Sequence, residues 1–431
     1  MTLPPLQKSI ADIAESKLVG QLVDDLHWRD FMLNLKRLPE KPRIMQPEVI
    51  LVKSEETANL EPLSESRKTR MPYLARRVVY LALAALIATG VYGQELPPFP
   101  VRGLHLSAPK PDEMADTLRF ISEALPKEGV NVLVIELNYR YQFTKHAEVS
   151  DPDPLTRENL KALADACKAA GIRLIPQMNL LGHQSWAGTT FGLLRSHPEF
   201  DETQGKYPDN KDIYCRSYCP LHPGIHEVLF DLIDELSDAC QADAFHIGMD
   251  EVFLLGEDDC PRCRGKNKAE LFAGEVNTIH DHLAKSGRAT WMWGDRFLDG
   301  GVTGLGKWEA AVNATEPAIR MVPKDIVICD WHYDSAVPTA AHFALEGFAV
   351  VSSPWRRPRV ALSQLEQLRL MRNSAPPEVA ARSLGVLQTT WIGAGPFIKA
   401  YFGDKAAPPN AVEAVLCFRE LFREIRAGGL H

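Results

Sequence analysis

The residues best suited to chemistry lie in the stretch "AFHIGMDEVF", Ala244 to Phe253, where an apolar run ends in two adjacent acids, Asp250 and Glu251. In a regular strand, consecutive side chains point to opposite faces. Where a strand ends and the backbone leaves its ladder, both can face the same rim. Two close carboxylates do not easily both ionise, so one is expected to keep its proton at neutral pH. A protonated carboxyl beside an ionised one suits glycosidic cleavage, which needs an acid for the leaving oxygen and a negative group for the developing cation. The plainer reading is that the pair caps a helix following the strand, the commoner use of such acids when they stand alone. The preceding His246-Ile247-Gly248 and the position along the chain weigh against capping.

Elements must carry these acids to a common place. Short apolar runs rich in β-branched and aromatic residues recur from Val101: "VRGLHL", "NVLVIEL" from Asn131, "IRLIPQ" from Ile172, "AFHIGM", "ATWMWG" from Ala289, "IVICDW" from Ile326, "FAVVSS" from Phe348 and "GVLQTTW" from Gly385. Such runs suit strands buried on both faces. Amphipathic stretches separate them. "ENLKALADACKAAG" aligns Leu160, Leu163, Ala164 and Cys167, and "HEVLFDLIDELSDAC" aligns Leu229, Leu232, Ile233, Leu236 and Cys240. Eight strands alternating with helices predict an α/β fold of the (β/α)8 (TIM) barrel type. A doubly wound sheet ranks second, because "RGLHLSAPK" after the first strand is no glycine-rich phosphate loop.

Active sites of such barrels lie at the carboxyl ends of the strands. The polar and aromatic residues gather there: Glu136 and Tyr139, His183, Asp250 with Glu251, Asp295, Trp331 with Tyr333, Trp355, and Trp391. For His183 a turn histidine and a residue orienting the acids are equally good readings. His246, on the strand itself, reads first as interior packing, and Trp308 as a core residue.

The chain has 431 residues, 45% hydrophobic and 24% charged, with a net charge of −8. It is long enough for a large core, and without a basic stripe it is not expected to bind nucleic acid. From Met71 it reads Arg76-Arg77, an apolar run too short to span a bilayer, then Val91-Tyr92-Gly93. That is the order of a secretory signal. Residues 1–70 therefore read as a polar, disordered extension preceding the natural start at Met71, 71–93 as a leader, and 94–431 as the catalytic domain. The chain is then exported to the periplasm or medium; without that start it stays cytoplasmic or membrane-associated. Amino-terminal sequencing of the natural protein checks this: a mature end near Gln94 is expected, and a retained Met1 would refute it.

"HIGMDE" resembles the H-x-G-x-D-E signature of the family 20 glycoside hydrolases, the β-N-acetylhexosaminidases. "PQMNLLGH", "GMDEVFLLGE" and "SSPWRR" are most similar to the branch typified by hexosaminidase D. The resemblance runs roughly from Val101 to Gly393. It implies a substrate-assisted reaction on terminal β-linked N-acetylglucosamine or N-acetylgalactosamine, in which the sugar's own acetamide attacks through an oxazolinium intermediate. It makes Glu251 the acid and base, and makes Asp250 the residue that orients the acetamido group. Tyr333 becomes the donor to its carbonyl. Arg102 is implied to grip sugar hydroxyls, with His183 in a Gly-His turn. Trp293, Asp295, Trp331, Tyr333 and Trp391 form the pocket wall, with Trp293 and Trp391 stacking on the sugar and its methyl. Two departures stand out. Asn179 replaces an Asp common before the Gly-His turn, and only Gln94 to Pro100 separate the leader from the first strand, leaving no room for the family's usual small preceding domain. A silent carbohydrate-binding barrel and a glycosidase of another linkage are the alternatives.

Cys167, Cys240, Cys329 and Cys417 fall on apolar stretches and read as packing residues. The others come in pairs, Cys215 with Cys219 in "CRSYC" and Cys260 with Cys263 in "CPRC". Both pairs fall in loops beside the acids. A structural zinc held by all four thiolates, two disulfides, and free thiols all remain open from the sequence. No cofactor is expected for catalysis.

Overall fold

The computed structural model describes residues 98–428. The expected extension and leader lie outside the described residues. No helix among the described residues is long and apolar enough to cross a membrane.

Eight parallel strands close into a barrel, each paired with its neighbours in sequence and the last returning to the first. They are β1 (Val101–Ser107), β2 (Val132–Glu136), β3 (Arg173–Leu180), β4 (Ala244–Gly248), β5 (Ala289–Trp293), β6 (Val327–Asp330), β7 (Ala349–Ser352) and β8 (Ser383–Gln388). Closure is direct: Val101 to Leu104 of β1 register with Gly385 to Gln388 of β8. All eight coincide with the apolar runs, because a strand covered on both faces must be apolar on both.

Alternation divides the core into two shells. Val132 and Val134 of β2, Ile175 of β3, Trp291 and Trp293 of β5, Cys329 of β6 and Leu387 of β8 fill the barrel interior. Leu133, Ile135, Leu174, Met292 and Ile328 point outward under the helices. The helix Arg157–Ala169 buries Leu160, Leu163, Ala164 and Cys167, the face its spacing foretold, and is opened by Thr156 capping the Asn159 amide. The helix Ile225–Ala239 buries Leu229, Leu232, Ile233 and Leu236. Cys167, Cys240, Cys329 and Cys417 are buried packing residues, as read.

The connection from β3 to β4 is the longest. Before its helix it runs through Leu181 to Gly224, with a two-residue hairpin ladder (Ser185–Trp186 with Thr189–Thr190) and short single turns. This segment and the loop after β4 build most of the surroundings of the acids.

Candidate active site

Strand β4 ends at Gly248, and the next residues turn sharply: Gly248, Met249 and Glu251 have φ of 69°, 72° and 48°. Left-handed backbone at Met249 and Glu251 costs of order 1–3 kcal/mol each and persists only where the surroundings impose it. Its effect is to aim both neighbouring acids at one point. A carboxylate oxygen of Asp250 and one of Glu251 each lie 3.2 Å from His183 Nε2. His183 is itself left-handed, at φ 54°. The acids are only 7% and 9% exposed. Burial alone would lower the His183 pKa, but the Asp250 charge and the contacts with both carboxylates outweigh it and hold it well above its ordinary value. An imidazolium thus stands between the acids and relieves the repulsion foreseen between them. Gly248 is required by its neighbour as well as by its φ: a Cβ there would lie 2.7 Å from the Asn179 backbone and its Oδ1.

Asp295, just after β5, anchors the turn. Its Oδ2 accepts from the Glu251 amide at 3.0 Å and from Arg296 Nε at 2.7 Å, while its Oδ1 accepts from Trp331 Nε1 at 3.3 Å. Expected as a sugar-binding residue, Asp295 is instead a buried positioning residue whose oxygens already serve protein donors. Arg296 is fully buried and also donates to the Lys307, Trp308 and Ala310 carbonyls. Replacing Asp295 by Ala is expected to cost about 3–5 kcal/mol in urea unfolding, because a buried cation loses its carboxylate. It should also lower kcat more than KM, since it frees the Glu251 backbone. A loss within 1 kcal/mol with kcat unchanged would show the anchor to be idle.

Beneath the acids lies an aromatic floor. The Trp391 indole N–H donates to the Tyr333 hydroxyl oxygen, and the Thr389 side chain meets the same hydroxyl. Burial holds that phenol well above its ordinary pKa, so it stays a neutral donor. Tyr333 stacks on Trp331 at 5.0 Å and meets Trp355 edge-on at 5.4 Å. Trp355 donates to the Thr390 carbonyl. Trp293 corrects the expectation of a stacking residue: it is wholly buried and backs Trp391 at 5.6 Å and His246 at 4.5 Å. His246 is interior, as read, and burial holds its ring neutral. Its Nδ1 accepts from the Gly248 amide at 3.1 Å, which helps set the turn before the acids.

A polar chain runs along the β1–β3 side. His105 Nε2 meets Gln177 Oε1 at 3.0 Å, Gln177 donates to Asn179, and Asn179 Nδ2 donates to Glu136 at 3.0 Å. Glu136 also accepts from Ser107 and Asn138. Asn179, the departure from the family pattern, therefore ties Glu136 to the close approach at Gly248. Tyr139 is buried and donates to Gln184, next to His183, so it braces the turn instead of lining a pocket.

Arg102 is a clear correction. Its guanidinium donates to the Gly129 and Phe99 carbonyls at 2.8 and 2.7 Å, residues that precede β2 and β1. It lies at the amino end of the barrel, opposite the acids, because it stands at the second position of its strand. Trp308 is corrected too: it is 43% exposed, not core. Together with Tyr214, Phe253 and the half-exposed Trp186 it makes an aromatic wall, with Tyr214 ring contacts to Trp308 at 4.9 Å, Trp186 at 5.0 Å, Phe253 at 5.6 Å and His183 at 5.8 Å. Burial and the neighbouring Glu251 charge keep the Tyr214 phenol protonated. Sequence reasoning missed Tyr214, and the one signal for it was its place directly before Cys215 in a loop already singled out.

Another histidine braces the rim. His332 Nδ1 lies 2.7 Å from Glu309 and Nε2 3.2 Å from Asp330. Burial alone would lower its pKa, but the Asp330 charge and the contacts with both carboxylates raise it to about 10. A folded value above the unfolded one, near 6.5, means its stabilisation is fully present below about pH 6.5 and is lost as pH rises through about 10. The slope is expected to approach 1.4 kcal/mol per pH unit in between. Denaturation of wild type and His332→Gln at several pH values between 6 and 10 checks this: the gap between them should close with rising pH, and a constant gap would refute it.

The four paired cysteines do not meet as one group. Cys219, Cys260 and Cys263 converge, but the fourth member is Glu202, with all four ligand atoms within 4.8 Å of one another. Cys215 lies apart, its sulfur 3.7 Å from the Glu251 carbonyl oxygen, because the turn of the acids draws it toward them.

A closed parallel barrel with an adjacent acid pair and aromatic walls on its carboxyl rim is the build of a glycoside hydrolase. Residues 135–358 match the catalytic-domain model of glycosyl hydrolase family 20, and the chain belongs to that family. The match takes in the last two residues of β2, all of β3 to β7 and the acids, while β1, the rest of β2 and β8 are supplied by the topology. Among curated relatives, a β-hexosaminidase of Akkermansia muciniphila is 25% identical over 146 residues, 32% of this chain and 29% of that protein. A lacto-N-biosidase of Bifidobacterium bifidum is 22% identical over 219 residues, 47% of this chain and 18% of that protein. The chain thus spans less than a third of the length of either. Among solved structures, the Flavobacterium johnsoniae chitobiase superposes with a TM-score of 0.55 at 19% identity, covering 77% of this chain and 52% of that one. A β-N-acetylhexosaminidase gives 0.54 at 17%, covering 82% of each chain. These likenesses bear on the fold.

Proposed function

We propose that this chain is an exo-acting β-N-acetylhexosaminidase that releases terminal β-linked N-acetylglucosamine or N-acetylgalactosamine with retention. The observation that carries the reading is the convergence of Asp250 and Glu251 on one imidazole at the barrel mouth. Both acids serve one side of the reacting centre, which suits a substrate that brings its own nucleophile better than two carboxylates flanking the sugar.

Glu251 donates its proton to the glycosidic oxygen as the bond from C1 to that oxygen breaks. The acetamido carbonyl oxygen forms the new bond to C1, giving an oxazolinium. Asp250 accepts from the acetamido N–H and balances the cation, and Tyr333 donates to the carbonyl oxygen and orients it. Glu251, now a base, draws a proton from water, which opens the ring at C1. Trp391 and Trp331 hold the apolar faces of the neutral sugar. Export belongs to the same reading, supported by the signal-like order of residues from Arg76 to Gly93.

The deciding assay compares an aryl N-acetyl-β-glucosaminide with the matching aryl β-glucoside. Turnover of the first only, with tight inhibition by a thiazoline mimic of the oxazoline, is expected. Binding without turnover would make the barrel a carbohydrate-binding module. Equal hydrolysis of both substrates would point to an ordinary carboxylate nucleophile.

A further inference from the structure

Glu202 and Cys219 belong to the long connection from β3 to β4, and Cys260 and Cys263 to the loop that follows the acids. All four are buried. The Cys219 sulfur lies 3.5 Å from that of Cys263 and 3.4 Å from that of Cys260. Glu202 is pinned by one oxygen, which accepts from the Gly256 and Glu257 amides at 2.8 and 3.2 Å. Its other oxygen is fully buried and meets nothing but the Cys260 and Cys263 thiols, with no cationic side chain or amide on it. Weak thiol donors compensate a buried carboxylate poorly, so the place is costly unless something charged meets it.

A disulfide would use two of the three sulfurs and leave the third thiol and that oxygen without a cation. One tetrahedral cation meets all four. Thiolates about 2.3 Å from zinc stand roughly 3.8 Å apart, close to the spacing found. The Cys-x-x-Cys spacing of Cys260 and Cys263 suits two ligands from one turn. The backbone amide of Leu221 faces the Cys219 sulfur, and those of Arg262 and Cys263 face the Cys260 sulfur, as outer-shell donors to thiolates do.

We infer that Glu202, Cys219, Cys260 and Cys263 bind one divalent cation of the zinc class, a structural clamp closed by four protein ligands. It joins the loop that carries Tyr214 to the loop that carries Glu251. Binding converts three thiols to thiolates and releases up to three protons. The site replaces the four-cysteine arrangement expected from the sequence, and it stands whether or not the proposed hydrolase activity does.

The test uses the full chain purified without chelator from zinc-supplemented cells. About one zinc per chain by elemental analysis is expected, and X-ray absorption should show three sulfurs near 2.3 Å and one oxygen near 2.0–2.2 Å. Cys215→Ser should keep the metal, whereas Glu202→Gln should weaken zinc affinity at least tenfold and Cys260→Ser should lose it. Should Cys260→Ser not fold, absorption on the wild-type protein decides alone. Four sulfurs around the metal with loss in Cys215→Ser would overturn the assignment. So would metal-free protein that takes up no zinc after reduction, or a disulfide joining any of these cysteines in the native chain.

Discussion

Glu251→Gln is expected to lower kcat on an N-acetyl-β-glucosaminide with a poor, alkyl-type leaving group by about 10²–10⁴-fold, the range a positioned general acid contributes. The amide keeps the shape of the side chain and its place beside His183 but has no proton to give. The loss should be smaller on a nitrophenyl glycoside, whose leaving oxygen needs little protonation. Hydrolysis of the intermediate should then become the slow step, because the same residue activates water. KM should change little or fall. Steady-state kinetics across leaving groups of graded basicity measure this. An equal loss on every leaving group would mean that Glu251 acts by holding the site together and not by proton transfer. Circular dichroism and thermal melting of the variant guard against that reading, since Glu251 is nearly buried.

Asp250→Asn tests the other half of the pair. The asparagine retains an oxygen for the acetamido N–H but lacks the charge that balances the oxazolinium. A loss of about 10²–10³-fold in kcat is expected, comparable to removing one electrostatic stabiliser of a transition state. Affinity for a cationic thiazoline mimic should fall in step, while binding of N-acetylglucosamine itself changes far less. If product and mimic weaken together, Asp250 binds ground state and transition state alike, and the substrate-assisted assignment fails. The variant also removes the carboxylate charge that does most to hold His183 protonated. Its pH profile should therefore differ from the wild type on the alkaline side, as the imidazole loses its proton at lower pH.

The barrel was readable because its strands are covered twice, by the interior and by the helices, so each is a run of apolar residues with few substitutes. The adjacent acids that close the apolar run of β4 marked the rim. The neutral acid foreseen beside a charged one was an inference from two groups, whereas the folded site has three, since His183 arrives from the far end of β3. Arg102 shows the opposite error. A motif match placed it at the site, but its position at the start of β1 puts it at the barrel's other end, a consequence of strand direction. Trp293 and Asp295 sit on the expected strand end, yet one backs the pocket and the other anchors Glu251, because residues a single turn apart fall into different layers.

The loops account for the rest. Nothing in "DIYCRSYC" says that Tyr214 would cover Glu251 or that Cys215 would turn to the acid loop while Cys219 turned away. Glu202, far from any cysteine in the chain, carried no mark of a ligand. By itself the order of residues determined the eight strands, their faces, the rim and the acid pair, since these depend on periods of two and 3.6 residues and on local turns. The partners of those residues, His183 between the acids, Asp295 under Glu251, Tyr214 over it and Glu202 among the thiols, come from segments tens of residues apart. Only the tertiary structure decided them, because loop closure brings such segments together through packing that no local pattern encodes.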